Sequence, residues 1–95
     1  MTAYVLVDIA ITDPALYEEV KRLTPFTVAQ YGGKYLARGG HSELLHGEWQ
    51  PARLVLLEFE SLEKARAWES SPEYTAVKQL RERCARVNMV MLQGL

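Results

Sequence analysis

Thiols, histidines and long apolar runs are what this sequence has least of: one cysteine, Cys84, two histidines, His41 and His46, and no hydrophobic stretch near membrane-spanning length. A lone cysteine excludes an internal disulfide and leaves a cysteine-based metal site without ligands, a usage that fits a reducing cytoplasm. Leu80 and Val87 stand at helical spacing from Cys84, which therefore reads as a small buried hydrophobe. No basic segment leads into an apolar run at the start of the chain, so neither signal nor anchor is expected. Charge of one sign is equally scarce. Eleven lysines and arginines face twelve acids, a formal net charge of -1, which leaves little long-range field to attract nucleic acid or an anionic membrane. The charged run from Lys78 to Arg86 mixes Glu82 with its cations and reads as a solvated helix face. Nucleic acid and membrane are thus not expected as partners. The glycine pairs Gly32-Gly33 and Gly39-Gly40 do not open a helix, so they are not a dinucleotide phosphate loop. No serine sits in a nucleophile elbow, and no carboxylate pair is spaced for glycosidic chemistry.

What is present is a pattern of short elements in 95 residues, enough for one domain over 1–95 and small enough that oligomerisation would supplement its core. From Ala3 to Ile11 apolar residues alternate with a β-branched bias, which predicts a strand. Asp13-Pro14 supplies an N-cap and a first-turn proline. Leu16, Tyr17, Val20, Leu23, Thr27, Val28 and Tyr31 then mark one side of a helix over Pro14 to Tyr31, bent at Pro25. Lys34 to Leu45 reads as a second strand interrupted at Gly39-Gly40, where a bulge or bend ends regular pairing, and Ala52 to Glu60 as a third, joined by a hairpin loop. Ser61 caps a short helix carrying Leu62, Ala65 and Trp68; Ser71-Pro72 starts a second helical segment, and Asn88 to Gln93 is the last strand. The order is β-α-β-β-α-β, the ferredoxin-like α+β pattern with an antiparallel sheet.

Both faces of two strands are apolar. Val55, Leu57 and Phe59 form one face of the third strand, yet Leu54 and Leu56 on the other are equally apolar, and Tyr4 and Leu6 repeat this in the first. Helices cover one face of a four-stranded sheet, so the other needs a partner. A sheet-to-sheet homodimer is expected, with Trp49 packing against the second copy.

These residues resemble the family grouped as domain of unknown function 1330, within the dimeric α/β-barrel superfamily. The resemblance runs nearly end to end and rests on Asp13-Pro14, Tyr17, Tyr31-Gly32-Gly33, Arg38-Gly39-Gly40, Gly47-Glu48-Trp49, Pro51, Arg53, Glu58-Phe59, Ala65, Trp68, Ser71-Pro72-Glu73-Tyr74 and Arg81. It implies a ferredoxin-like protomer that pairs through its sheet into a dimeric α/β barrel, and it carries no assigned reaction. Relatives in the superfamily include quinone-forming monooxygenases that need no cofactor, lactone isomerases, haem-degrading monooxygenases and binding modules. Trp68 matches the helix tryptophan of the haem-degrading group, but the helix after it lacks the histidine that group pairs with it. Neither cofactor nor metal is therefore expected.

Arg38, beside Gly39 and Gly40, could hold a carboxylate or enolate oxygen while the glycines admit the ligand, or it could form a structural ion pair with Glu58. His41 is either a base near neutral pH or an exposed loop residue, and His46 reads as the latter. Trp68 and Tyr74 flank the helix break, where they either stack on a planar ligand or anchor the core. As an enzyme, the chain would carry out proton transfer or oxygenation on a small anionic or enolisable molecule, with Arg38, His41 and Glu58 catalytic and Arg38, Gly39, Gly40, Trp68 and Tyr74 binding. The alternative is a non-catalytic dimeric ligand-binding or stress-associated module.

Overall fold

A computed structural model describes all residues, 1–95. The elements are β1 (Ala3–Ile11), α1 (Pro14–Gln30), β2 (Lys34–Arg38), β3 (Arg53–Phe59), α2 (Leu62–Glu69), α3 (Pro72–Arg81) and β4 (Ala85–Gln93). The strands form one antiparallel sheet in the order β2-β3-β1-β4. This is the ferredoxin-like α+β fold read from the sequence, with its second helix divided in two. Ala3, Val5, Val7 and Ile9 of β1 and Val55, Leu57 and Phe59 of β3 are buried beneath the helices. Full burial of one such large aliphatic or aromatic side chain contributes about 1.5–3 kcal/mol. Tyr17, Val20 and Val28 of α1, Ala65 and Trp68 of α2, and Tyr74 and Val77 of α3 complete the core from the helix side.

The caps set where each helix starts. Asp13 Oδ1 accepts from Leu16 N at 3.2 Å and Ser61 Oγ from Lys64 N at 3.1 Å, each satisfying an amide that has no partner inside its helix. Ser71 does more: its Oγ accepts from Tyr74 N at 3.1 Å and donates to Trp68 O at 2.7 Å, so one hydroxyl closes α2 and opens α3. Pro25 lies inside α1 without ending it. It has no N–H, so the Lys21 carbonyl four residues earlier loses its helical donor.

Two expected boundaries differ. The second strand ends at Arg38, and residues 39–52 have no strand structure. Regular pairing ends at Gly39-Gly40 in a bend, as expected, and a separate bulge lies at Leu36, where the register with β3 shifts between Tyr35↔Leu57 and Ala37↔Leu56. Gly39 is the turn that follows, at φ +68°, its N–H still bonded to Leu54 O at 2.7 Å. The last strand starts at Ala85, three residues early, because its β1 partners continue to Ile11.

The sheet face away from the helices is left uncovered. Val90 and Leu92 are 57% and 66% exposed there, with Tyr4, Leu6, Leu54 and Leu56 half-buried beside them. Trp49 folds back towards this face within its own chain: its Nε1 donates to Asp8 Oδ2 at 3.1 Å, while Ala52 N donates to Asp8 Oδ1 at 3.0 Å. The indole remains 54% exposed. Asp8 thus ties down the end of the 39–52 segment.

Candidate functional site

On the helix side of the sheet a cavity of about 40 Å³ lies between β1, β2 and β3 below and α1, α2 and α3 above. Its polar lining is unusual in composition: three guanidiniums, from Arg38, Arg53 and Arg81, and three phenols, from Tyr17, Tyr35 and Tyr74, with Lys21 and Thr24 of α1 beside them and no carboxylate. Each arginine lies near a tyrosine ring. Arg38 Cζ is 4.9 Å from the Tyr35 centroid, Arg53 Cζ 6.0 Å from that of Tyr17, and Arg81 Cζ 5.9 Å from that of Tyr74. These distances fall within cation–π range. None of the three arginines belongs to an ion pair.

The bulge explains how β2 delivers two residues to this site. Directly opposed residues share a face, so Tyr35 opposite Leu57 and Arg38 opposite Val55 both point towards the helices. In a regular strand residues three apart point to opposite faces; the extra residue, Leu36, brings both to one side. Arg38 is then held by the helix above it. Its Nη2 donates to the Lys21 carbonyl, the acceptor that Pro25 left without a helical donor. A proline in α1 therefore positions an arginine from β2, and the rest of that guanidinium remains free.

Arg53 reaches the cavity by parity, since it alternates with Val55, Leu57 and Phe59 on the buried face of β3. Gly39 makes room for it: a Cβ there would stand 2.5 Å from Arg53 Nη1 and 2.6 Å from Cζ. The Arg53 Nε is shielded from water and has no hydrogen-bond partner. Arg81 Nη1 donates to the Tyr74 hydroxyl at 2.6 Å. Trp68, 1% exposed, stacks on Tyr74 with centroids 4.1 Å apart and donates its Nε1 to Thr27 Oγ1 at 3.1 Å. It is both a core anchor and a wall of the cavity.

Burial pushes all three phenols up from their ordinary value. Tyr35 reaches about 12, because loss of water around a phenolate outweighs the opposing Arg38 charge. Tyr17 and Tyr74 rise for the same reason, opposed by Arg53 and Arg81 respectively. At neutral pH these hydroxyls keep their protons and can donate hydrogen bonds. The lining holds neither a carboxylate nor a histidine.

Of the residues singled out from the sequence, the cavity gathers Arg38, Trp68 and Tyr74. Gly39 contributes through Arg53, and Gly40 has no side-chain neighbour. His41 and Glu58 stand apart. Glu58 lies opposite Lys34 and Tyr4 on the far face of the sheet and pairs with Lys34 Nζ at 3.5 Å, so its expected ion pair with Arg38 does not form. His41 is exposed in the 39–52 segment, with Nε2 3.3 Å from Glu43. Sequence reasoning missed Tyr17, Tyr35, Arg53 and Arg81. The alternation of Arg53 with a fully apolar face was the available signal, whereas Tyr35 depended on a bulge with no glycine to mark it. Tyr17 reads only as part of the apolar side of its helix, and Arg81, which reads as part of a solvated helix face, instead turns inward to Tyr74.

The fold is shared with several solved structures. A protein of unknown function from Rhodopseudomonas palustris superposes with a TM-score of 0.79 at 15% identity, over 99% of this chain and 82% of that one. SnoaB, a cofactor-independent oxygenase from Streptomyces nogalater, gives 0.69 at 12% identity over 99% and 93%. A dimeric protein of unknown function and ferredoxin-like fold from Bacteroides fragilis gives 0.57 at 12% over 98% and 96%. At these identities the likeness is one of fold. Among curated proteins none matches this chain. The sequence itself matches one family profile along nearly its whole length, residues 2–95, and the chain belongs to that family, the Domain of unknown function (DUF1330).

Proposed function

We propose that this protein is a homodimer whose protomers each bind a small anionic or enolisable organic molecule in the cavity between sheet and helices. The observation that carries this reading is the lining itself: three guanidiniums without a single acid to neutralise them, a charge arrangement that an anion completes. Arg38 and Tyr74 are its polar contacts and Trp68 its planar wall. The uncovered apolar face, with Val90 and Leu92 exposed, supports pairing through the sheet.

As an enzyme, the protein fits oxygenation without a cofactor better than proton transfer. Proton transfer needs a base of suitable pKa within reach, and neither His41 nor Glu58 lines the cavity. A substrate that arrives already ionised, as an enolate or phenolate, needs only charge stabilisation, which Arg38, Arg53 and Arg81 supply. The fold shared with a cofactor-independent oxygenase agrees with this. The same missing base favours a second reading, a non-catalytic binding module.

Native mass spectrometry of the protein as purified, followed by an oxygen electrode, tests the proposal. The expected result is a dimer mass carrying small organic acids, up to one per protomer, and oxygen uptake dependent on an enolisable acid without added metal or flavin. Retention of the acid without uptake would leave the binding module. A monomer whose cavity takes up no anionic molecule would overturn the whole reading.

A further inference from the structure

Arg53 is the least explained group in the molecule. It lies on the buried face of β3, its Nε is closed off from water, and no acceptor reaches that nitrogen. A buried donor left without an acceptor is costly, and a buried charge more so. The chain nevertheless accommodates it, with a left-handed glycine, Gly39, where any Cβ would collide with the guanidinium. Space is thus kept for a guanidinium that Tyr17 engages at one side and whose Nε–H meets no acceptor in the protein.

We infer that the missing acceptor is the carboxylate of a short-chain organic acid, bound head-first with its oxygens between Arg53 and the neighbouring Arg38 and Tyr17. The cavity, at about 40 Å³, has room for roughly three water-sized groups. That takes the carboxylate head, and the apolar lining beyond it suits hydrocarbon and leaves the further charged oxygens of a phosphate without partners. A guanidinium presents its donors in a planar fork matched to two carboxylate oxygens. Val7, Val55 and Leu57 meet a short hydrocarbon remainder. This deepens the proposed function and rests on the cavity being a ligand site.

The test uses Trp49→Phe protein, in which Trp68, against the cavity wall, is the sole indole. It is titrated at constant ionic strength with acetate, propionate and butyrate, and in parallel with acetamide, propionamide and inorganic phosphate. The inference expects saturable fluorescence changes and a raised Tm with the acids, and binding at least tenfold weaker with the amides and phosphate. Arg53→Met separates a ligand anchor from a structural arginine. An anchor without an internal acceptor gives a variant at least as heat-stable as the parent, with acid binding weakened roughly tenfold to a hundredfold, the weight of one charge-assisted hydrogen bond. Should Arg53→Met fail to fold, Arg53→Lys, which keeps charge but not the fork, decides: weakened acid binding supports the anchor, and full binding overturns it. Amides or phosphate binding as tightly as the acids would overturn the carboxylate while leaving the cavity a ligand site. Binding of none of the probes, with no retained molecule in the native spectrum, would remove both.

Discussion

Gly39 and Gly40 are adjacent and chemically identical, yet the structure assigns opposite outcomes to replacing each with alanine. Gly39 has φ +68°, a conformation that costs an L-residue about 1–2 kcal/mol. Its new methyl would also stand 2.5 Å from Arg53 Nη1. Because the colliding atoms are the tip of a long side chain, the guanidinium can swing aside, so the stability loss stays close to the backbone term while Arg53 loses its place. Gly40 is not in the left-handed region, and a Cβ there meets nothing within 4 Å. Gly40→Ala should therefore stabilise by about 0.4–1 kcal/mol, by narrowing the unfolded ensemble. A domain of this size shifts in Tm by roughly 4–8 °C per kcal/mol. Thermal denaturation followed by circular dichroism, at one fixed protomer concentration, should show Gly39→Ala lower by about 4–16 °C and Gly40→Ala higher by about 2–8 °C. Equal shifts, or a larger loss at Gly40, would refute the assigned roles.

Alkaline titration should separate the buried phenols from the rest. Folded Tyr35 holds its proton to about pH 12 against an ordinary value of 10.0, so the unfolded chain ionises first and stability falls as pH rises from 10 to 12, by roughly 2–3 kcal/mol. Denaturant unfolding across that range checks this, and a flat profile would contradict it. Leu56→Glu places a charge on the uncovered sheet face and should dissociate the dimer in sedimentation at micromolar concentration, while an unchanged dimer would mean that pairing uses another surface.

Much of the fold was legible because its signals are local. The Asp13-Pro14 and Ser71-Pro72 starts, the alternation in β1 and β3 and the apolar second face each follow from a few neighbouring residues. The second strand is legible in part: Gly39-Gly40 marks where its pairing ends, but the strand does not resume towards Leu45, and the register shift occurs at Leu36, which no local propensity distinguishes. The site was legible only in part. Arg38, Trp68 and Tyr74 meet because the strand end and the helix break are close in space. Glu58 is ambiguous between the cleft and the far face because a bulge in β2 shifts the register by an amount the sequence does not give, and the coordinates place it on the far face beside Lys34. The link from Pro25 through the Lys21 carbonyl to Arg38 spans two elements, and only coordinates join them.

The central claim, that the guanidiniums of this cavity are an anion site, is tested most directly on the arginine Nε–H resonances of the 15N-labelled protein during addition of propionate. The Arg53 Nε–H should exchange slowly, because that nitrogen is closed to water, and saturable shifts should be confined to Arg53, Arg38 and Arg81. Arg66, Arg83 and Arg86, on exposed surfaces, should stay in place. Shifts at Arg66, Arg83 and Arg86 as large as those at Arg53, or none at Arg53 at saturating acid, would contradict it.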